Sequence, residues 1–392
     1  MLNKALTIAW ISDFPVEWLP DLPPDLRGWP RRHPATWQMA LLTEFAKNPD
    51  IRLHVVLLRK QVGRELTFEH SGAVFHVLPA APWARLGSLF WLDTLLIRRL
   101  LRKVRPDLVH AWGTEKGSGL IAHRLGYPYL MTIQGLFSWY KELVPLSRYD
   151  RFVERIERTT LRRATAVSAE SNYTIRYIQE RYPQLQLFQV EHVPNRVFFG
   201  VRRQPQDRPL HLVSVGTLGF RKGTDLLFRA LEPLVAAVDF KLTVITNPAA
   251  QFLEQARATV SEGLWRRMEF KHHLTPAEVA KELETPTLML LPTRADTGPV
   301  AAKEAAVAGL PLVASAIGGV PDYVTPGSNG LTFPPGDLEA FGRAIRQAVS
   351  HPLLGRGMVE ARTLARVREH LSPELMASSF LKAYRAVLDL RR

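Results

Sequence analysis

The chain has 392 residues, of which 46% are hydrophobic, and a formal net charge of +14. This length is large for one domain, so two domains with separate cores are expected. The absence of cysteine excludes disulfides and thiolate metal sites and is compatible with a reducing cytoplasm. The basic excess indicates an anionic partner, which could be a phosphate-bearing substrate, a membrane surface or a nucleic acid.

From the N-terminus onward, short apolar runs alternate with amphipathic segments, a pattern typical of βα units in a parallel sheet. The apolar run Ala5–Ile11 is closed by Asp13 and Pro15, so it predicts a first strand rather than a signal peptide or a membrane span. The strands predicted before residue 200 are Leu6–Ser12, Leu53–Leu58, Val74–Leu78, Leu108–Ala111, Tyr129–Ile133, Ala164–Val167 and Leu187–His192.

Two helical segments of the first half carry many arginines. Residues 88–106 place apolar side chains before a basic end, which fits either a membrane-surface helix on anionic lipid or a packed crossover helix whose cations complement its dipole. The pattern does not separate these two interpretations. In residues 151–162, four arginines fall on one helical face, and the interleaved Glu154 and Glu157 favour an ordinary solvated face.

A polar linker, Gln204–Pro209, marks the predicted domain boundary between residues 203 and 204. Strand Leu210–Val215 follows it, then a glycine-rich turn and a helix from Thr224. Arg221 and Lys222 stand just before that helix, where cations oppose the helix dipole. A bound anion nearby is the simplest reason for them.

The most informative stretch is residues 290–323, an apolar strand, a polar loop, a short helix and a second apolar strand. The helix is entered through Gly298-Pro299, and helix starts of this kind bind anions in parallel α/β sheets. Asp296 and Glu304 flank the entry with seven residues between them. Taken alone, such a pair is usually an N-terminal charge and a solvated helix face.

The order of Lys222-Gly223, Asp296, Glu304 and Gly318-Gly319 resembles the retaining, group 1 type glycosyltransferases of family 4. The resemblance implies the α/β fold called GT-B, with two Rossmann-like domains, a cleft between them, and a C-terminal helix, residues 372–392, that crosses back to the first domain. It also implies that residues 1–203 bind the acceptor and residues 204–371 bind a nucleotide-sugar donor.

The resemblance carries roles onto individual residues. Glu304 would accept hydrogen bonds from the donor's ribose, Lys222 with Arg221 would neutralise its diphosphate, and Asp296 would lie near its sugar. Amides at the helix entry would bind the phosphates, and the segment Arg105–Gly119 would bring a strand-end histidine to the transferred sugar, although such a residue is as often structural. The further residues involved are His110, Thr217 at the position of a family arginine, Gly298, Val300, Gly318 and Gly319.

The expected activity is therefore transfer of a sugar from a nucleotide sugar to a glycan, polysaccharide or lipid-linked acceptor. No cofactor and no metal are implied, and the expected location is the cytoplasm, with possible peripheral contact at the inner face of an anionic membrane. Alternatives are a nucleotide-sugar epimerase or phosphorylase on the same fold, or a nucleotide-binding pseudoenzyme. A nucleic-acid-binding protein is not expected, because the basic residues are scattered.

Overall fold

The computed structural model describes residues 5–30, 35–114, 116–205, 209–247 and 250–390. They form two compact units: the first runs to Glu191 and is completed by the segment from Pro373, and the second spans His192–Ser372. The division thus falls about a dozen residues before the predicted boundary, and residues 206–208 of the predicted linker lie outside the described residues.

One largely buried cation, Arg203, explains why residues 192–203 belong to the second unit. The Arg203 guanidinium donates to the carbonyl oxygens of Leu283, Glu284, Pro286 and Gly357, and burial lowers its pKa to about 10. Those carbonyls all belong to the second unit. Because a buried guanidinium is costly to leave without acceptors, this network holds the segment to that unit more firmly than the linker composition suggests.

The first unit contains an eight-stranded sheet in the order β3-β4-β2-β1-β5-β6-β7-β8, in which all pairings are parallel except that of β3 with β4. Its strands are β1 Leu6–Ile11, β2 Ile51–Arg59, β3 Leu66–His70, β4 Ala73–Pro79, β5 Leu108–Trp112, β6 Tyr129–Thr132, β7 Ala166–Ala169 and β8 Gln186–Gln189. β3 was not predicted from the sequence; it is an edge strand that turns into β4 through Ser71 and Gly72, both with positive φ.

Helices cover both faces of this sheet. Those before residue 191 are α1 Thr36–Phe45, α2 Pro82–Gly87, α3 Trp91–Val104, α4 Ser118–Leu125, α5 Phe137–Leu143, α6 Arg148–Arg163 and α7 Asn172–Arg181. α3 packs against α4, and α4 packs against α6. These helices follow right-handed crossovers in the same direction along the sheet, which places them in one layer.

The second unit contains a parallel six-stranded sheet in the order β11-β10-β9-β12-β13-β14. Its strands are β9 Leu210–Val215, β10 Phe240–Ile245, β11 Met268–Lys271, β12 Leu288–Leu291, β13 Leu312–Ser315 and β14 Gly330–Phe333. Its helices are α8 Thr224–Leu231, α9 Ala250–Thr259, α10 Glu262–Trp265, α11 Pro276–Glu282, α12 Val300–Ala308, α13 Val320–Tyr323, α14 Leu338–Ser350 and α15 Ala361–His370. Short 3-10 segments complete the two units at Val16–Trp18, Pro24–Leu26, Arg196–Gly200, Glu232–Leu234 and Leu354–Arg356.

The strand order of the second sheet reverses between β9 and β12. In open α/β sheets, ligands bind outside the carboxyl ends of the strands at such a switch point. The loop 216–223 leaves the end of β9, and the loop 292–299 leaves the end of β12. The fold therefore brings together the two loops that the sequence analysis singled out separately.

The last helix, α16 (Pro373–Asp389), belongs to the first unit, as predicted. It packs against α1 and contacts β6, and its buried side chains include Phe380 and Tyr384. The two-unit α/β architecture with parallel sheets is the predicted fold class.

Candidate functional site

The loop after β9 is pressed against the loop after β12 by a glycine. Gly223 precedes α8 with φ +73, and a Cβ atom there would lie 1.8 Å from the carbonyl oxygen of Pro292. Any other residue would push the loops apart, because no Cβ contact is tolerated at that distance. The amide of Arg294 also donates to the carbonyl of Arg221 at 2.9 Å.

Arg294, which the sequence analysis missed, clamps the same two loops. Its guanidinium donates to both carboxylate oxygens of Asp225 at 2.6 and 2.7 Å and lies 3.9 Å over the ring of Phe220. Burial alone would raise the pKa of Asp225, but the two hydrogen bonds from Arg294 outweigh it and lower that pKa. An arginine two residues before Asp296 was the only sequence signal for this role.

Lys222 and Asp296 meet where the loops converge. The Nζ atom of Lys222 lies 2.5 Å from Oδ2 of Asp296, and Nη1 of Arg221 lies 3.6 Å from the same oxygen. The amide of Gly298 donates to the other carboxylate oxygen at 3.2 Å. Burial would raise the pKa of Asp296, yet the two neighbouring cations hold it below its ordinary value. One ionised carboxylate therefore positions two cations and leaves a net positive charge.

Glu304 lies on α12, one turn after the helix start, and is 9% exposed. It makes no hydrogen bond and no ion pair with any residue that the structure describes. Burial raises its pKa to about 8. A carboxyl group left in this state lacks the donors that ordinarily compensate desolvation, so it can gain them from a ligand.

The two glycines after β13 contact the backbone of the β12–α12 loop, whereas the sequence predicted that they contact a ligand. A Cβ atom on Gly318, whose φ is +52, would lie 2.2 Å from the carbonyl oxygen of Asp296. The amide of Gly319 donates to the carbonyl of Thr297 at 2.9 Å. Both glycines were expected to allow close approach of a ligand; here Gly318 allows close approach of the β12–α12 loop.

Two further predicted positions remain open to a ligand. The amide of Val300 begins α12 and makes no hydrogen bond within the described ranges. Thr217 is exposed in the loop after β9. Gly298 differs from them, because its amide is already bonded to Asp296.

His110 lies in the first unit, at the centre of a buried polar chain. The indole of Trp10 donates to the hydroxyl of Tyr384, which lies 2.7 Å from Nδ1 of His110. Nε2 of His110 lies 2.6 Å from the hydroxyl of Thr132, which in turn contacts Ser168. Since the imidazole is fully buried and both nitrogens have protein partners, the structure favours a structural role over the predicted contact with a sugar.

Two family models match the chain. Residues 35–197 match the model described as Glycosyltransferase Family 4, and residues 209–351 match the model described as Glycosyl transferases group 1. Together they cover most of both units. The chain belongs to the family 4, group 1 glycosyltransferases. The position of Lys222, Asp296 and Glu304 inside the second match agrees with the motifs from which the resemblance was first inferred.

Curated relatives of this glycosyltransferase show moderate identity. The glycogen synthase of Mycobacterium tuberculosis is 30% identical over 153 residues, which is 38% of this chain and 36% of that protein. The 2-deoxystreptamine N-acetyl-D-glucosaminyltransferase of Streptomyces fradiae is 29% identical over 289 residues, 66% of this chain and 67% of that protein. The match therefore spans about a third of the glycogen synthase and two thirds of the second relative.

Solved structures share the fold of this glycosyltransferase. The sucrose-phosphate synthase of Thermosynechococcus elongatus superposes with a TM-score of 0.80 at 18% identity, covering 98% of this chain and 100% of the other. The Anabaena protein HepE, crystallised with UDP and glucose, superposes with a TM-score of 0.71 at 14% identity, covering 97% and 100%. At this identity the likeness concerns the fold alone.

Proposed function

We propose that the chain transfers a sugar from a nucleotide-sugar donor bound by the second unit to a glycan, polysaccharide or lipid-linked acceptor. The observation that carries this proposal is the carboxyl group of Glu304, which is 9% exposed and has no partner among the described residues, on the helix that follows the loop of the Lys222–Asp296 pair. A nucleoside diphosphate offers what each group lacks: two ribose hydroxyls can donate to a carboxylate, and phosphate oxygens can accept from the cations.

Each residue of the donor site has a separate role in the proposed transfer. Lys222 and Arg221, with the amide of Val300 at the start of α12, neutralise the diphosphate as the bond from the sugar's anomeric carbon to its oxygen breaks. Asp296 acts by positioning Lys222, since its carboxylate is held by that ammonium group at 2.5 Å. The acceptor oxygen bonds to the anomeric carbon, and its proton passes to the departing phosphate, which gives retention of configuration without a protein base.

No metal is needed in this scheme, because cationic side chains and backbone amides stabilise the leaving group. The described residues contain no group of three or more carboxylates and histidines placed to hold a metal ion. UDP is the first nucleotide to test, because HepE was crystallised with UDP-glucose and a fold relative from Burkholderia vietnamiensis is a UDP-forming trehalose-phosphate synthase.

A depression in the first unit, lined by both charged and aliphatic side chains, supports an acceptor site there. It is lined by the ends of β1 and β2 and by the start of α4, with Ser12, Asp13 and Lys116 among its side chains. Asp13 pairs with both Arg59 and Lys116. Charged and hydroxyl groups that converge at the carboxyl edge of a parallel sheet suit a polyhydroxy acceptor.

Thermal stabilisation by UDP, GDP, ADP and dTDP, measured for the wild type and for Glu304→Ala, tests the donor site. A shift for one nucleotide that the variant loses supports the proposal. If no nucleotide stabilises the protein at millimolar concentration, the donor site is wrong. A matched sugar nucleotide is then incubated with and without acceptors: turnover without an acceptor indicates an epimerase, and binding without turnover indicates a pseudoenzyme.

A further inference from the structure

Large apolar side chains are concentrated on the surface of α2 and of the first half of α3. Half of the exposed large apolar residues in the described part of the chain lie within residues 83–96. We call this set the apolar patch: Trp83, Leu86, Leu89, Trp91, Leu92, Leu95 and Leu96. Trp83 is 84% exposed and Leu95 is 53% exposed, so the patch is not covered by its own unit.

The side of α3 opposite the apolar patch packs into the first unit. Ile97, Leu100 and Leu101 are buried within the first unit, so α3 packs as a crossover helix along this side, while its opposite side stays exposed. Phe90, with φ +65, turns inward beneath Gly117, while Leu89, with φ +46, stays outside. The chain thus adopts two unfavourable backbone conformations between α2 and α3 and still leaves leucine and tryptophan in solvent.

A basic stripe continues the exposed face of α3 beyond the apolar patch. Arg99, Arg102 and Lys103 are exposed and make no ion pair with the residues described. The one carboxylate between residues 82 and 105 is Asp93, and it is buried and bonded to Arg85 at 2.7 Å. The face of α2 and α3 therefore presents apolar groups and cations without an acidic side chain.

Helix α6, which packs against α4, extends this basic surface with the solvated arginine face that the sequence predicted. Glu154 and Glu157 are buried, and Glu154 pairs with Arg158 at 3.2 Å. The other exposed arginines of this face are Arg151, Arg155, Arg162 and Arg163. Between α3 and α6, the Arg124 guanidinium of α4 lies 4.4 Å over the ring of Trp91. One helix layer thus joins the apolar patch to arginines of α3, α4 and α6.

We propose that this helix layer docks the protein on an anionic lipid bilayer. The boundary between headgroups and acyl chains offers both an apolar phase for tryptophan and leucine and phosphates for arginine. A second copy of the chain fits less well, because it would bring a second set of cations to the contact and no exposed carboxylate from α2 or α3 to pair with them. A nucleic acid would satisfy the arginines and leave the leucines exposed. The inference is independent of sugar transfer, because none of these residues belongs to the donor site.

Vesicle co-sedimentation tests the proposal with vesicles of phosphatidylcholine alone and of equal parts phosphatidylcholine and phosphatidylglycerol. The wild type is expected to bind the anionic vesicles and to be released by high salt. The combined variant Arg99→Glu, Arg102→Glu and Lys103→Glu is expected to bind on the order of a hundredfold more weakly, at roughly fivefold for each basic residue. Equal binding to both kinds of vesicle, or none to either, would overturn the proposal.

Matched variants separate the surface from general charge and hydrophobicity. The charge control reverses Arg229, Arg346 and Lys382, which are exposed on α8, α14 and α16, and should bind like the wild type. Trp83→Ser with Leu92→Ser and Leu95→Ser should weaken binding, whereas serine at the similarly exposed Met358, Leu375 and Leu390 should not. If the control sets weaken binding equally, or if sedimentation velocity shows a dimer that the patch variant abolishes, the lipid assignment is wrong. Thermal unfolding and UDP stabilisation verify that each variant is folded.

Discussion

The ammonium group of Lys222 lies 2.5 Å from the carboxylate of Asp296, although 74 positions separate the two residues in the chain. The pair joins the loop after β9 to the loop after β12, the two strands between which the second sheet reverses its order. Both side chains are largely shielded, with 24% and 14% exposed. The pair therefore combines a structural link with a cation ready for a phosphate.

Replacing Lys222 by alanine is expected to lower kcat on the order of a hundredfold to a thousandfold, because a preorganised charge at the leaving group is lost. It should also cost about 2 kcal/mol or more of unfolding free energy, since Asp296 would remain shielded without its main partner. Steady-state kinetics and chemical denaturation measure the two effects.

The double variant Lys222→Met, Asp296→Asn separates these effects. It removes both charges, so stability should recover while kcat stays low. Full recovery of activity in the double variant would show that Lys222 contributes only to the structure. Arg221→Ala should have a smaller effect, because that side chain is 42% exposed and lies 3.6 Å from the carboxylate.

Nucleotide binding is expected to release a proton near pH 7. The pKa of Glu304 is about 8 without ligand, so its carboxyl group is mostly protonated at neutral pH. Hydrogen bonds from two ribose hydroxyls favour the ionised form and lower that pKa. Calorimetric titration with UDP in buffers of different ionisation enthalpy measures the release, which Glu304→Gln should abolish. Equal release by wild type and variant would assign the proton to another group.

The same carboxyl group makes stability depend on pH. Its folded pKa of about 8 exceeds its ordinary value of 4.5, so within that window the folded state binds more protons than the unfolded state. The free energy of unfolding should therefore fall as pH rises from about 4.5 to about 8, by on the order of a few kcal/mol. Denaturation curves of Glu304→Gln should decline less over this window, while Glu339→Gln, on the exposed face of α14, should follow the wild type.

Alanine at Gly318 is expected to destabilise the protein and to weaken nucleotide binding, because its Cβ atom would meet the carbonyl oxygen of Asp296 at 2.2 Å. Gly336 provides the matched control, since its φ of +83 is also positive but no atom lies within 4 Å of the added Cβ. Gly336→Ala should lower the free energy of unfolding by only about 1 kcal/mol. Gly318→Ala should lower it by at least about 2 kcal/mol more. Equal costs in chemical denaturation would show that the loop yields to the new methyl group.

The carboxylate of Glu157, on α6, caps the N-terminus of α5. Its replacement by glutamine should therefore destabilise the first unit. Its carboxylate accepts from the amides of Phe137 and Ser138 at 2.9 and 2.8 Å and from the hydroxyl of Thr114 at 3.1 Å. In the glutamine variant, the side-chain NH2 would face one of these N–H or O–H donors and lose its hydrogen bond. The free energy of unfolding should fall by about 1–3 kcal/mol. Glu180→Gln, at a side chain 73% exposed on α7, should leave the denaturation midpoint unchanged.

Short-range patterns in the sequence were enough to predict the βα architecture and the loops of the candidate site. The alternation of apolar runs located most strands, and Gly298-Pro299 and Gly309 bracketed α12 correctly. These features depend on backbone preferences within a few residues, which a single sequence displays. The edge strand β3 was not predicted, because a half-exposed hairpin strand lacks the continuous apolar run of a buried strand.

Burial and long-range pairing were decided only by the tertiary structure. The periodicity of α6 places Glu154 and Glu157 among arginines, but which side of the helix meets the sheet depends on α4 and α5. Likewise, the strand end at His110 did not reveal that Tyr384, far along the chain, closes over it. The pairing of Lys222 with Asp296 required β9 to lie beside β12, and strand order depends on contacts between distant segments that no local pattern records.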